Sequence, residues 1–286
     1  MSEQRNPLIR NGLLRGALGL ALMLGLGIGC QFIAFGLENA VHVDKDLRPM
    51  VSSLALLPGL LAGYLILVKG IERRPLSEAA PGKALPQIAI GLAVGAGLFA
   101  LTMAPLMALG FYQAHGLNPA GVLIKPLVLA LVAAVMEELL FRGLIQRLIE
   151  ERFGPLWALG VTSLLFGLAH GINPGATPFT FLIIAAEAGL LLGACWVATR
   201  SLWLPIAVHF AWNFTQGGVF GAAVSGNSSD GLVAGQLRGP VLLTGGAFGP
   251  EASVQAVAFA VTAALIILWI AGRKGMLAGP VSPALT

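Results

Sequence analysis

The 286 residues are 57% hydrophobic and 10% charged, with a mean hydropathy of +0.85. Soluble domains carry about 25% charged residues, so composition excludes a soluble globular fold and reads as a polytopic membrane protein. The net charge of +4 is assigned to topogenic cations at the ends of spans rather than to nucleic acid binding; no nucleic acid partner is expected.

In chain order, residues 1–16 are polar and carry Arg5, Arg10 and Arg15. The first apolar run is about 17–37. Gly27-Ile28-Gly29-Cys30 has a faint likeness to a lipoprotein cleavage site, but Gly27 stands where an aliphatic residue is wanted and the apolar run continues through Phe35. It reads as an uncleaved first span. Seven more spans are expected at about 50–68, 87–111, 122–146, 156–171, 179–198, 202–220 and 253–271, the fifth being short for a bilayer. The glycine pairs Gly25/Gly29, Gly91/Gly95 and Gly189/Gly193 have the spacing of close helix contacts. Cys30 and Cys195 both sit in apolar runs and imply no disulfide framework.

With the N-terminus inside, twelve of the 17 cations fall in inner segments, four in outer segments, and Arg142 within the membrane. That bias is the positive-inside pattern and places both termini in the cytoplasm. The expected fold is all-α: about eight transmembrane helices bundled around an intramembrane polar cavity. Residues 1–286 are read as one membrane domain with a motif-bearing core at about 126–251. The outer stretch 225–251 is rich in Gly, Ser and Pro and reads as a long loop, a lid or a disordered segment. There is no Walker glycine loop and no dinucleotide fingerprint.

The chemistry concentrates in polar groups inside the spans. Glu137, Glu138 and Arg142 interrupt the apolar run of the fourth span. A charge there costs about 3 kcal/mol or more, so such residues face a protein interior or a wet cavity. Glu138 and Arg142 are i,i+4 and share a helix face; Glu137 is rotated about 100° away. The pair Glu138–Arg142 is therefore read as supporting, with Glu137 free for the cavity. His170 ends the fifth span. His209 and Asn213, again i,i+4, lie in the seventh. Glu187 in the sixth is a further buried acid, read as support paired with Arg142 or a histidine. His42 and His115 fall in outer loops. A buried Glu, two His and an Asn can together activate water. Counting about 1.5 Å per residue puts Glu137, His209 and His170 at roughly 15, 10 and 20 Å from the cytoplasmic edge, so tilt, a break after Pro205 or an earlier start to the fifth span is what would bring them together.

The ordered set Glu137-Glu138-x-x-x-Arg142, Phe166-x-x-x-His170 and His209-x-x-x-Asn213 resembles the CPBP family, the CAAX proteases and bacteriocin-processing enzymes, also called Abi or type II CAAX prenyl endopeptidases. The stretch from Gly189-x-x-x-Gly193 to Pro205 is similar to the family's lead-in to its last histidine. Residues 243–251 look like a segment of a bacterial branch. The resemblance implies an intramembrane endopeptidase of the bacterial inner membrane, acting on membrane-associated substrates such as prenylated CAAX tails or leader peptides. Its catalytic positions map to Glu137 as water-activating carboxylate, His170 as its assistant, and His209 with Asn213 as oxyanion donors. No metal is assigned. Zinc stays open as a cofactor, and Glu137, His170 and His209 would be its ligands. Two other readings remain: a proton-coupled transporter, against which no inverted repeat is found, and a non-catalytic membrane scaffold or immunity protein.

Overall fold

Asn11 starts the first helix. Its side-chain oxygen accepts from the N–H groups of Leu13 and Leu14, satisfying donors that a helix start leaves orphaned. The helix therefore begins within the polar leader rather than at the apolar run. A computed structural model of the protein describes residues 11–45 and 47–280; the cations Arg5 and Arg10 lie outside them.

Eight helical rods follow one another: α1 Gly12–Ala40, α2 Arg48–Ile71, α3 Ala84–Ala108, α4 Ala120–Phe153, α5 Pro155–His170, α6 Thr180–Thr199, α7 203–219 and α8 Val254–Arg273. Six are long and apolar enough to cross a membrane. Of the about eight spans expected, these six among the described residues are long and apolar enough to cross, so the polytopic helical architecture is present but the count of eight is not. The fifth and seventh expected spans are present as shorter helices, α5 with 16 residues and α7. α4 runs beyond its expected end because Arg147, Glu150 and Glu151 stay helical and are satisfied by ion pairs instead of water.

Those ion pairs gather the helix ends. Glu72, after α2, meets Arg15 of α1 at 3.2 Å and Arg147 of α4 at 2.9 Å. Arg74 holds Glu72 and Glu78 at 2.8 and 2.7 Å. Arg200, just after α6, pairs with Glu150 and reaches the Met276 carbonyl beyond α8. The start of α1 and the end of α8 thus share one end of the bundle, as alternating up-and-down rods require. Buried pairs of this kind fix geometry more than they add stability.

Small residues set the closest helix contacts. Gly91 and Gly95 of α3 lie against the α7 backbone at Leu204 and Val208, and Gly189 of α6 lies against Ser163 of α5. No side chain larger than hydrogen fits at these crossings. Gly25 and Gly29 differ from expectation: nothing approaches them, and they face outward on α1.

At the opposite end, the all-α expectation has one exception. β1, Tyr112–Leu117, pairs antiparallel with β2, Val233–Leu237, with Tyr112 opposite Leu237. The Tyr112 hydroxyl donates to the Phe220 carbonyl at 2.7 Å. The stretch 225–251 is accordingly structured. It contributes β2, a short helix Val241–Thr244 and the fully buried Phe248, while Val241 and Leu242 are exposed.

Candidate active site

Three π turns widen the helices where the polar groups sit. They span Leu139–Gln146 in α4, Ala185–Gly189 in α6 and Phe214–Val219 in α7. Such turns are rare and cluster at functional sites, because each inserts a residue and re-aims its neighbours. Glu137 and Glu138 immediately precede the first, Glu187 lies in the second, and Asn213 immediately precedes the third.

The structure brings Glu137, His170 and His209 together. Oε2 of Glu137 lies 3.6 Å from Nε2 of His170 and 4.0 Å from Nε2 of His209. These gaps exceed a hydrogen bond and are those of groups converging on a shared space. The depth mismatch expected from counting residues is removed by the packing of α5 against the π segment of α6 and of α7 against α4. Asn213 lines the same cavity as His170 and His209.

Each imidazole is oriented by its other nitrogen. Nδ1 of His170 is 2.8 Å from the Phe166 carbonyl. A carbonyl only accepts, so Nδ1 carries the proton and a neutral His170 presents a lone pair at Nε2. The Phe166 ring stacks on that imidazole, with centroids 4.6 Å apart. Phe166 thus supplies both the carbonyl and the buttress. His209 turns Nδ1 to Oε1 of Glu138, 3.0 Å away, and Nε2 towards Glu137. With a carboxylate oxygen facing each nitrogen, the ring satisfies both only as a double donor.

Glu138 is the hub. Its side chain is fully buried, and the same Oε1 accepts from Arg142 Nη1 at 3.0 Å. Arg142 is equally buried, donates Nη2 to the Gly189 carbonyl at 3.1 Å, and packs 4.7 Å over the Phe166 ring. Cation–π contact and the carboxylate together offset the desolvation of the guanidinium. The supporting pair read from the sequence is present, with one partner the spacing did not reveal: Glu138 also holds His209. Oε2 of Glu137, like the second oxygen of Glu138, has no hydrogen-bond partner among the described residues.

Glu187 departs from its expected role. Arg142 is engaged by Glu138 and Gly189, and neither it nor a histidine pairs with Glu187. The carboxylate instead lines the cavity together with Glu251, whose Oε1 accepts from the Ser225 N–H and hydroxyl, both at 2.9 Å. Glu251 and Ser225 are site residues that the sequence reading missed. Glu251 closes the segment 243–251 likened above to a bacterial branch, whereas Ser225 carried no signal beyond its place in the Gly-rich stretch.

The chain's fit to zinc is limited. Among the described residues no group of three or more His, Cys, Asp or Glu is set to hold a metal ion. The zinc set Glu137, His170 and His209 and the metalloprotease class therefore find no support in the geometry.

Residues 119–215, about a third of the chain, match the family model described as Rce1-like, type II CAAX prenyl endopeptidase. The match takes in Glu137, Glu138, Arg142, His170, His209 and Asn213, and bears out the likeness drawn from those motifs; Glu251 lies outside it. No curated protein and no solved structure matches the chain.

Proposed function

We propose that this chain, whose residues 119–215 are of the Rce1-like type II CAAX prenyl endopeptidase family, hydrolyses peptide bonds of membrane-associated substrates with water activated by Glu137. The observation that carries the reading is the convergence of Glu137 Oε2 with the Nε2 atoms of His170 and His209 beside a cavity lined by Asn213.

The chemistry follows from the donors and acceptors. Glu137 Oε2 and His170 Nε2 are both lone-pair centres, so a water donating to both gains nucleophilicity. Its oxygen attacks the scissile carbonyl, and its proton passes to Glu137. The carbonyl oxygen becomes an oxyanion, stabilised by the Nε2–H of His209 and the amide N–H of Asn213. Collapse breaks the C–N bond, and the proton on Glu137 leaves with the amine, with His170 as relay. Glu138 and Arg142 hold His209 and the α4 turn in place. No step requires a metal.

The finer features belong to the same proposal. The chain works as one membrane domain with its motif-bearing core at about 126–251. It resides in the bacterial inner membrane with both termini in the cytoplasm, as the positive-inside bias supports. Its substrates are prenylated CAAX tails or leader peptides.

The test is cleavage of a library of lipid-anchored and membrane-spanning peptides by the full chain in nanodiscs, with products read by mass spectrometry. Cleavage that disappears in both Glu137→Gln and His209→Ala, with folding intact, is the expected result. Cleavage that persists in both, or proton-coupled flux that survives Asn213→Ala, contradicts it.

A further inference from the structure

The cavity beside the two imidazoles has a second polar wall. Glu187 and Glu251 line it together with His170, His209 and Asn213. Glu187 is only 3% exposed, yet among the described residues no side chain donates a hydrogen bond to it and no Lys or Arg pairs with it. Its charged neighbour is the other acid, Glu251. Glu251 is 4% exposed, is held by Ser225, and has Gln216 and the His170 imidazole as further polar neighbours. The buried Arg142 is committed to Glu138 and Gly189.

Two carboxylates lining one cavity repel each other, and among the described residues neither is paired with a Lys or Arg, the counter-charge that buried acids otherwise need. The titratable neighbours in the lining, His170 and His209, face Glu137 and Glu138. The hydroxyl and backbone of Ser225 fix Glu251 through two bonds, so its remaining acceptor capacity stays directed at the cavity. The same cavity also has apolar lining, including Leu191, Leu192, Val208 and Trp212. An apolar sleeve ending in carboxylates matches a long side chain with a cationic tip, whose methylenes take the sleeve while its head meets the acids.

We propose that Glu187 and Glu251 form a subsite for a Lys or Arg side chain flanking the scissile bond of the substrate. This rests on the protease reading for its place in the reaction, but the binding it describes does not depend on catalysis. Glu137 meets the cavity at its imidazole wall, beside His170 and His209, so the acids that hold the cation and the base that activates water are separate groups.

The test has a binding arm and a cleavage arm, both on the full chain in nanodiscs. Calorimetry compares n-butylguanidinium with its neutral counterpart pentanamide, in the wild type and in Glu187→Gln and Glu251→Gln. Cleavage compares peptides carrying Arg, Lys, citrulline or norleucine at each position around the cut. One or two charge-assisted hydrogen bonds predict a cationic preference of roughly ten- to hundredfold in both arms. Either glutamine variant reduces that ratio towards one; if one variant does not fold, the other decides. Equal affinity for cation and amide, including no binding of either, overturns the proposal, as does a preference that survives both substitutions. A cationic preference in binding with no peptide cleaved supports the subsite and contradicts the protease reading. Cleavage without cationic preference does the reverse.

Discussion

Nδ1 of His209 and Oε1 of Glu138 lie 3.0 Å apart, in a part of the bundle where the Glu138 side chain has no solvent exposure. The contact fixes the imidazole so that Nε2 points at the space in front of Glu137. Glu138→Gln keeps the shape of the side chain but can offer His209 and Arg142 an amide N–H where each needs an acceptor. Loss of a partner that orients a reacting group costs about 10–100-fold in activity. The expected result is a fall of that size in kcat with little change in KM, measured on any peptide the wild type cleaves.

Arg142 and Glu137 should separate stability from chemistry. Arg142→Met leaves Glu138 buried beside a single partner, and breaking a buried pair costs about 3–5 kcal/mol. Glu137 Oε2 has no hydrogen bond to lose, so Glu137→Gln is expected to change stability by under about 1 kcal/mol. Thermal unfolding of the two variants in the same detergent checks both statements. A Glu137→Gln protein as destabilised as Arg142→Met would assign Glu137 a structural role.

The Asn213 side chain has no hydrogen-bond partner among the described residues, and it lines the cavity with His209. If its amide serves the oxyanion, Asn213→Ala lowers kcat by about 10²–10³-fold while KM stays nearly constant. Matching losses in kcat and kcat/KM identify an interaction made in the transition state. A raised KM with unchanged kcat would instead make Asn213 a substrate-binding group.

At the far end of the bundle, Glu78 predicts a pH dependence. Burial alone would raise its carboxyl, but the Arg74 hydrogen bonds and charge and the Tyr64 hydroxyl overcome this and hold it below the usual carboxylate range. A group depressed in the folded state contributes stability that is present above its unfolded pKa and lost as pH falls through the folded one. Unfolding temperature is therefore expected to drop on acidification below about pH 4.5, and to drop less in Glu78→Gln, which has no such proton to take up. Equal acid sensitivity in both proteins would remove Glu78 from the account.

Much of this was legible in the sequence because a bilayer penalises polar groups so heavily. Glu137, Arg142, His170 and His209 stand out against apolar runs, and the i,i+4 spacing of Glu138 and Arg142 is a local relation that a helix alone dictates. The long apolar rods were equally visible. The remainder depends on contacts between distant segments. The bond between Glu138 and His209 spans 71 positions; β1 finds its partner more than a hundred residues later. π turns have no strong residue signature, so the re-aiming of Glu187 away from Arg142 and towards Glu251 could not be read from spacing. Gly25 and Gly29 show the converse: the spacing is present but the tertiary structure does not use it.

The most direct test of the central claim is the cleavage rate of one membrane-anchored peptide by purified full-length protein and by Glu137→Gln, each with and without a zinc chelator. The account predicts cleavage by the wild type that is unaffected by chelation, and a loss of about 10³-fold or more in Glu137→Gln, the scale on which losing an essential general base acts. Cleavage that survives Glu137→Gln, or wild-type cleavage that stops on chelation and returns with zinc, would contradict it.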